Sequence, residues 1–326
     1  MEYHAIGPEL NLMSRLGFGC AAASGYDYGD IEEPAWNNAV RASLENGVNL
    51  FDVADVYGFG RAEELLSKAL GENRHNVVLA TKFGLVWDAQ GRVRRDCSPK
   101  SAELALTRSL RRLRVECITL YQLHWPDDST SLETVLETLG RFQEQGKIRF
   151  IGVSNVPIGE IRRGLLSDYV DFFQVPYSLL CRDIEKGFLA LCAGAQTRVL
   201  AHSALARGLL SGSRELGARF EGADTRRRSA YFSAEGSEAK ERLIDALREI
   251  ANQHECGPSA VALRWALDRR EISSVLVGIK NRSQLDANLQ AIRLRLTRSE
   301  VELLSSLSLA CPGVSSGALA RRTAYQ

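Results

Sequence analysis

Eight short apolar runs, each followed by a stretch with helical spacing or a loop, recur along the chain. That alternation constrains the fold more than any other feature of the sequence. The runs are Leu16–Cys20, Asn49–Asp55, Val77–Phe83, Ile118–His124, Arg149–Asn155, Asp171–Tyr177, Arg198–Ser203 and Ile272–Ile279. They are rich in Val, Ile, Leu and Phe with little polar alternation, the pattern of strands covered on both faces of a parallel sheet. Between them, Leu132, Val135, Leu136, Leu139 and Phe142 draw one apolar stripe on a helix. Ser98-Pro99 reads as an N-cap and first helical residue, opening a helix to about Leu113. Further helices fit Glu33–Glu45, Ala62–Leu70, Ile158–Leu166, Ile184–Cys192, Glu238–Gln253, Pro258–Arg269, Ser283–Ile292 and, last, Arg298–Leu307. Such a series folds as a closed barrel or as a doubly wound open sheet, and the count of eight favours the barrel. The expectation is an α/β fold, a (β/α)8 TIM barrel forming one domain over 1–326. The one long irregular connection, 206–236, is expected to be a lid or binding loop.

With 326 residues, 45% of them hydrophobic and 25% charged, the chain can bury a large core without staples. A formal net charge of +1 argues against a nucleic-acid surface or a membrane-binding patch. No apolar run reaches membrane-spanning length, and the first residues lack a signal-peptide pattern. Seven scattered cysteines with no C-x-x-C pair point to a reduced, cytoplasmic protein. His4, His75, His124, His202 and His254 never share the spacing that sets two ligands on one helix face, so no metal is expected.

In a barrel of this kind the site forms at the carboxyl ends of the strands. There the sequence places Phe51-Asp52-Val53-Ala54-Asp55-Val56-Tyr57-Gly58, then Ala80-Thr81-Lys82, Leu123-His124-Trp125-Pro126-Asp127, Gly152-Val153-Ser154-Asn155 and Gln174. Lys82 inside an apolar strand needs a carboxylate, and Asp52 on the adjacent strand is the natural partner. A phenol beside that ammonium is pushed toward phenolate, so Tyr57 could serve as a general acid near neutral pH, with His124 polarising the reacting oxygen. Singly, each of these residues has an ordinary structural explanation. Four of them on three adjacent strands make coincidence the weaker account. Gly17-Phe18-Gly19-Cys20-Ala21-Ala22 nominally fits a dinucleotide fingerprint, but loop residues rather than a helix follow, so a Rossmann domain is rejected.

Over almost its whole length the chain resembles the aldo-keto reductase family, in its longer-loop bacterial branch. The resemblance implies a catalytic tetrad of Asp52, Tyr57, Lys82 and His124. It implies that Ser154, Asn155 and Gln174 hold a nicotinamide carboxamide. The stretch Ser203 to Gly212 looks like the family's pyrophosphate loop, giving Ser203, Leu205, Arg207, Gly208 and Leu210 as contacts. Gly278, Lys280, Arg282, Gln284 and Asn288 resemble the adenosine end. Lys280 and Arg282 facing a 2′-phosphate would favour NADPH over NADH. Three residues depart from the pattern: His202 where an aromatic ring usually stacks on the nicotinamide, and Thr119 and Ala287 where acidic residues are frequent. Tyr26, Tyr28, Trp87 and Trp125 are candidates for a pocket taking an apolar or ring-containing carbonyl compound. The reading is hydride transfer between NADPH and an aldehyde or ketone, or the reverse from an alcohol. Two rivals are a Schiff-base aldolase or dehydratase using Lys82 as nucleophile, and a non-catalytic redox-sensing subunit.

Overall fold

All eight apolar runs become strands, and they close on one another in the computed structural model. In chain order they are β3 (Leu16–Gly19), β4 (Leu50–Asp52), β5 (Val78–Phe83), β8 (Ile118–Leu123), β9 (Ile148–Ser154), β10 (Phe172–Pro176), β11 (Arg198–His202) and β12 (Ile272–Gly278). Each pairs in parallel with the next, and β12 returns to β3 through Val277↔Phe18, completing the barrel. Two short hairpins account for the remaining numbers: β1 (Tyr3–Ala5) with β2 (Leu12–Ser14), and β6 (Leu85–Trp87) with β7 (Val93–Arg95). The structure describes the chain except for 8–11, 26–30, 158–168, 196, 213–215, 217–219, 221–223, 225, 227–228 and 314–326.

The described helices are α1 (Glu33–Glu45), α2 (Arg61–Leu70), α3 (Pro99–Leu113), α4 (Leu132–Glu144), α5 (Phe188–Gly194), α6 (Ser237–Gln253), α7 (Pro258–Leu267), α8 (Arg282–Arg293) and α9 (Arg298–Ala310). Their starts follow local chemistry. The Ser98 hydroxyl accepts from Ser101 N, and Thr297 with Glu300 forms a reciprocal capping box. The expected stripe of α4 is buried at Val135, Leu136, Leu139 and Phe142.

Several ends differ from the sequence reading by a few residues, and two elements depart most. The run Asn49–Asp55 leaves the sheet after Asp52: Val53 N still donates to the Ala80 carbonyl, and the chain then turns at Asp55–Val56. The helix expected over Ile184–Cys192 is split into a 3-10 turn at Asp183–Glu185 and α5. Gly187 between them sits at φ 99°, outside helical space. In the connection 206–236 the described residues include the 3-10 turns Ala206–Ser211 and Ala230–Phe232. The helix expected over Ile158–Leu166 lies outside the described residues.

The inside of the barrel is layered, and the layers follow from period-two alternation along each strand. Leu50, Val78, Ala80, Leu120, Phe172, Leu200 and Leu276 cluster as an apolar layer. Ile6 and Met13, from the β1–β2 segment, plug it from the amino end. Two residues further along the same strands stand Asp52, Lys82, Gln122, Gln174 and His202. The barrel is therefore sealed by hydrocarbon below and lined by polar groups at its carboxyl end, where such barrels work.

Candidate active site

The centre of the polar layer is a buried ion pair. Lys82 Nζ donates to Asp52 Oδ1 at 2.6 Å and to the Val53 carbonyl at 3.0 Å, and both side chains are almost wholly buried. Gln174 Nε2 and Gln122 Nε2 donate to the other carboxylate oxygen at 2.8 and 3.2 Å. Gln174 also bonds Gln122 Oε1 at 3.3 Å. A desolvated ion pair survives in a barrel interior only when its remaining lone pairs are met in this way. Gln122 did not stand out in the sequence. The signal was there in register, because Gln122 lies opposite Lys82 on the neighbouring strand. Gly152 next to it leaves the space it needs: a Cβ there would lie 2.6 Å from Gln122 Cγ.

Tyr57 arrives from β4 on a tight turn. Its N–H donates to the Ala54 carbonyl, and Gly58, Phe59 and Gly60 all take positive φ before α2 begins. This brings the phenol ring to 5.4 Å from Lys82 Nζ, and to 5.9 Å, edge to face, from the His124 ring. His124 is 7% exposed, and Asn155 Nδ2 donates to its carbonyl at 2.9 Å. Burial first, then the positive charge of Lys82, pushes the His124 imidazole well below its ordinary range, so it is held neutral. His202 is driven the same way, by burial and then Lys82 and Arg207, down to about 3. Its Nδ1 lies 3.0 Å from Ser203 Oγ. The four tetrad candidates thus meet at one mouth, which is able to hand a proton to an oxygen placed between phenol and imidazole.

The remaining candidates form a rim around them. Ser154 Oγ donates to the Gln174 carbonyl, and Asn155 Nδ2 reaches Ser154 Oγ at 3.1 Å. Asn155, Ser203, Ala206 and Arg207 all hold positive φ, strain gathered at the ends of β9 and β11, where a ligand contact would repay it. Gly208 continues that turn, Leu205 packs against the core and Leu210 is buried. These residues fit a dinucleotide: polar side chains at the mouth, then a tight turn of left-handed backbone. Beyond β12, Gly278 is open on its Cα side, Gln284 Oε1 accepts from Lys280 N, Arg282 pairs with Asp286 at 2.8 Å, and Asn288 is buried. Of the pocket candidates, Trp125 is buried against Val56 and Leu85, and Trp87 packs on Phe59 with ring centroids 5.6 Å apart. Tyr26 and Tyr28 lie outside the described residues. The β6–β7 hairpin was not foreseen. It packs Trp87 and Val93 against the same Trp125 cluster that Tyr57 touches, and its Arg95 stacks 5.0 Å over the Trp125 ring. Among the described residues no group of side chains is arranged to hold a metal ion, and no helix is long and apolar enough to cross a membrane.

An eight-stranded parallel barrel with an ion-paired lysine, a phenol and an imidazole at its carboxyl mouth defines a barrel enzyme of proton-coupled carbonyl chemistry. The aldo/keto reductase family model matches residues 15–308. The chain is 33% identical over 291 residues to aldo-keto reductase YhdN of Bacillus subtilis, covering 88% of this chain and 87% of that one. It is 28% identical to the NADH-specific methylglyoxal reductase of Escherichia coli, covering 91% and 95%. The glycerol dehydrogenase AKR11B4 of Gluconobacter oxydans superposes with a TM-score of 0.84 at 31% identity, covering 99% and 96% of the two chains. The chain belongs to the aldo/keto reductase family, and it is an NAD(P)H-dependent oxidoreductase of carbonyl compounds and alcohols.

Proposed function

We propose that the protein reduces an apolar or ring-containing aldehyde or ketone with NADPH, or oxidises the matching alcohol, and that Tyr57 supplies the proton. The observation that carries this reading is the Lys82 ammonium, clamped to Asp52 at 2.6 Å and lying 5.4 Å from the Tyr57 ring. The bound nicotinamide supplies or accepts the hydride. This chain's residues do the rest. As negative charge gathers on the carbonyl oxygen, the Tyr57 hydroxyl gives up its proton to it. The phenolate left behind faces the Lys82 ammonium, which stabilises it. Asp52, fixed by Gln122 and Gln174, holds that ammonium in place. Neutral His124 can donate one N–H to the same oxygen without competing for the proton. In the reverse direction the phenolate takes the alcohol proton.

Ser154, Asn155 and Gln174 would hold the nicotinamide end, with Ser203, Leu205, Arg207, Gly208 and Leu210 along the pyrophosphate. His202 would cover the ring where a larger aromatic is usual. At the adenosine end stand Gly278, Lys280, Arg282, Gln284 and Asn288, and the two cations favour a 2′-phosphate. The relatives divide on this point. One is named as NADH-specific, and another, of Schizosaccharomyces pombe, carries NADP(+) in its name. The pocket side is formed by Trp87 and Trp125 with the β6–β7 hairpin, which suits an apolar small molecule. Seven free cysteines suit a reducing compartment, and we assign the protein to the cytoplasm.

A Schiff-base role for Lys82 fits poorly, because an ammonium donating to a carboxylate and a carbonyl has no free lone pair for attack. A panel of carbonyl compounds offered with NADPH and with NADH tests the reading by loss of nicotinamide absorbance. Turnover with NADPH ahead of NADH supports it. Borohydride trapping of substrate on Lys82, or cofactor binding with no turnover on any carbonyl, overturns it.

A further inference from the structure

Beneath the Tyr57 turn lies a second buried polar cluster that the reaction does not use directly. Asp55 is 2% exposed, and its Oδ1 has no hydrogen-bond partner among the described residues. The groups facing it come from four elements, α2, α3, β5 and β8. Glu63 of α2 is fully buried, accepting from Thr81 Oγ1 at 2.7 Å and from Arg112 Nε of α3 at 2.6 Å. Tyr121 of β8 is fully buried, stacked on Phe83 at 5.0 Å, and its hydroxyl also has no partner among the described residues. Lys82 of β5 is the other charge that reaches Asp55. Each nearby cation already belongs to another carboxylate, Arg112 to Glu63 and Lys82 to Asp52. An ionised Asp55 would therefore be a buried charge without a counterion, which a folded chain avoids by keeping the proton. The cluster also grips the far end of the turn: a Cβ at Gly60, φ 99°, would lie 2.9 Å from Arg112 Cδ.

We propose that Asp55 is a positioning residue for Tyr57. As an uncharged acid it ties the base of the turn to the Tyr121 hydroxyl through one buried water, and so fixes the phenol over Lys82. Two buried oxygens, each lacking a protein partner and within electrostatic reach of one another, are satisfied together by one bridging water. Burial and then the charge of Glu63 raise the Asp55 carboxyl well above its usual range, in keeping with an acid that stays protonated at neutral pH. Tyr57 is two residues away on a turn of three positive-φ positions, so slack at Asp55 is transmitted to the phenol. The inference rests on Tyr57 being the proton donor.

Asp55→Ala, Asp55→Asn, Tyr121→Phe and Tyr57→Phe, singly and with Asp55→Ala added to Tyr57→Phe, test it by steady-state kinetics. Misplacing a reacting group by a fraction of an ångström is expected to cut kcat about tenfold in Asp55→Ala with both KM values near wild type. Asp55→Asn, uncharged and still hydrogen bonding, should restore most of kcat, with a pH profile superimposable on wild type through neutrality. Tyr121→Phe, which keeps the ring volume, should fall as Asp55→Ala does, and it carries the test alone if the alanine variant does not fold. In the Tyr57→Phe background Asp55→Ala should cost nothing further. Wild-type kcat in both Asp55→Ala and Tyr121→Phe overturns the proposal. So does an asparagine variant as poor as the alanine one, or an equal loss in the Tyr57→Phe background. Full turnover by Tyr57→Phe itself overturns the proton-donor reading instead, and is told apart because it needs no change at Asp55.

Discussion

Replacing Lys82 with methionine keeps most of the side-chain volume but strands the Asp52 carboxylate inside the barrel. The ammonium it removes lies 2.6 Å from Asp52 Oδ1, with the lysine 1% and the aspartate 7% exposed, so water cannot take its place. Asp52 Oδ2 keeps the amide donors of Gln122 and Gln174. The cost therefore falls at the lower end of the range for breaking a buried pair, about 3 kcal/mol. For a chain of this length that is roughly 4–5 °C in Tm. The sign with pH follows from the stranded group. Folded Lys82→Met holds a proton on Asp52 more tightly than its unfolded chain does, so its stability falls as pH rises and recovers on acidification. Circular-dichroism melts at about pH 5 and about pH 8 should show the larger deficit at the higher pH. Adding Asp52→Asn removes the charge and should return most of the lost Tm, while turnover stays at least about a hundredfold down in both variants. A Lys82→Met protein that melts with wild type at neutral pH, or a deficit that grows on acidification, refutes the reasoning.

The buried imidazoles make a second, opposite prediction. His124 and His202 are both held below the ordinary histidine range, His202 down to about 3. Their contribution to stability is fully present above about pH 6.5 and is lost as pH falls from there toward about 3, the folded value of His202. His202→Phe should flatten part of that acid limb in pH-dependent melts, and an unchanged limb contradicts it. Through its larger stacking face it should also tighten cofactor binding by about fivefold, read by calorimetric titration, with equal or weaker binding as the contrary result. Gly152→Ala, whose Cβ would stand 2.6 Å from Gln122 Cγ, should cost about 1–3 kcal/mol and lower kcat by loosening Gln122 from Asp52; a neutral substitution argues against that packing. Lys280→Ala with Arg282→Ala should weaken NADPH about tenfold to a hundredfold and leave NADH within about twofold, and equal losses for the two cofactors remove the 2′-phosphate assignment.

Much of this was legible in the residues because burial on both faces writes a strong signal. The barrel strands read as apolar runs and all eight formed, with ends misplaced most where the chain turns away, as after Asp52. Lys82 announced itself as a charge in such a run, and that made its partner findable. Gln122 was invisible for the opposite reason: an uncharged polar residue in a strand is common, and only cross-strand register reveals that it meets Asp52. The β1–β2 plug and the β6–β7 hairpin escaped because three-residue strands are too short to show a period. Asp55 was only one residue of the strand-end run, and its unpartnered Oδ1 emerges only from how α2, α3, β5 and β8 close around it.

The central claim is that a phenol held over an ion-paired lysine gives the proton. Tyr57→Phe removes one oxygen and little else, so turnover and cofactor affinity can be measured on the same protein, by nicotinamide absorbance and by calorimetric titration. Loss of general-acid catalysis should lower turnover by about a hundredfold to ten-thousandfold while cofactor Kd stays within about twofold. Unchanged turnover, or a fall in rate matched by a fall in cofactor affinity, contradicts the account.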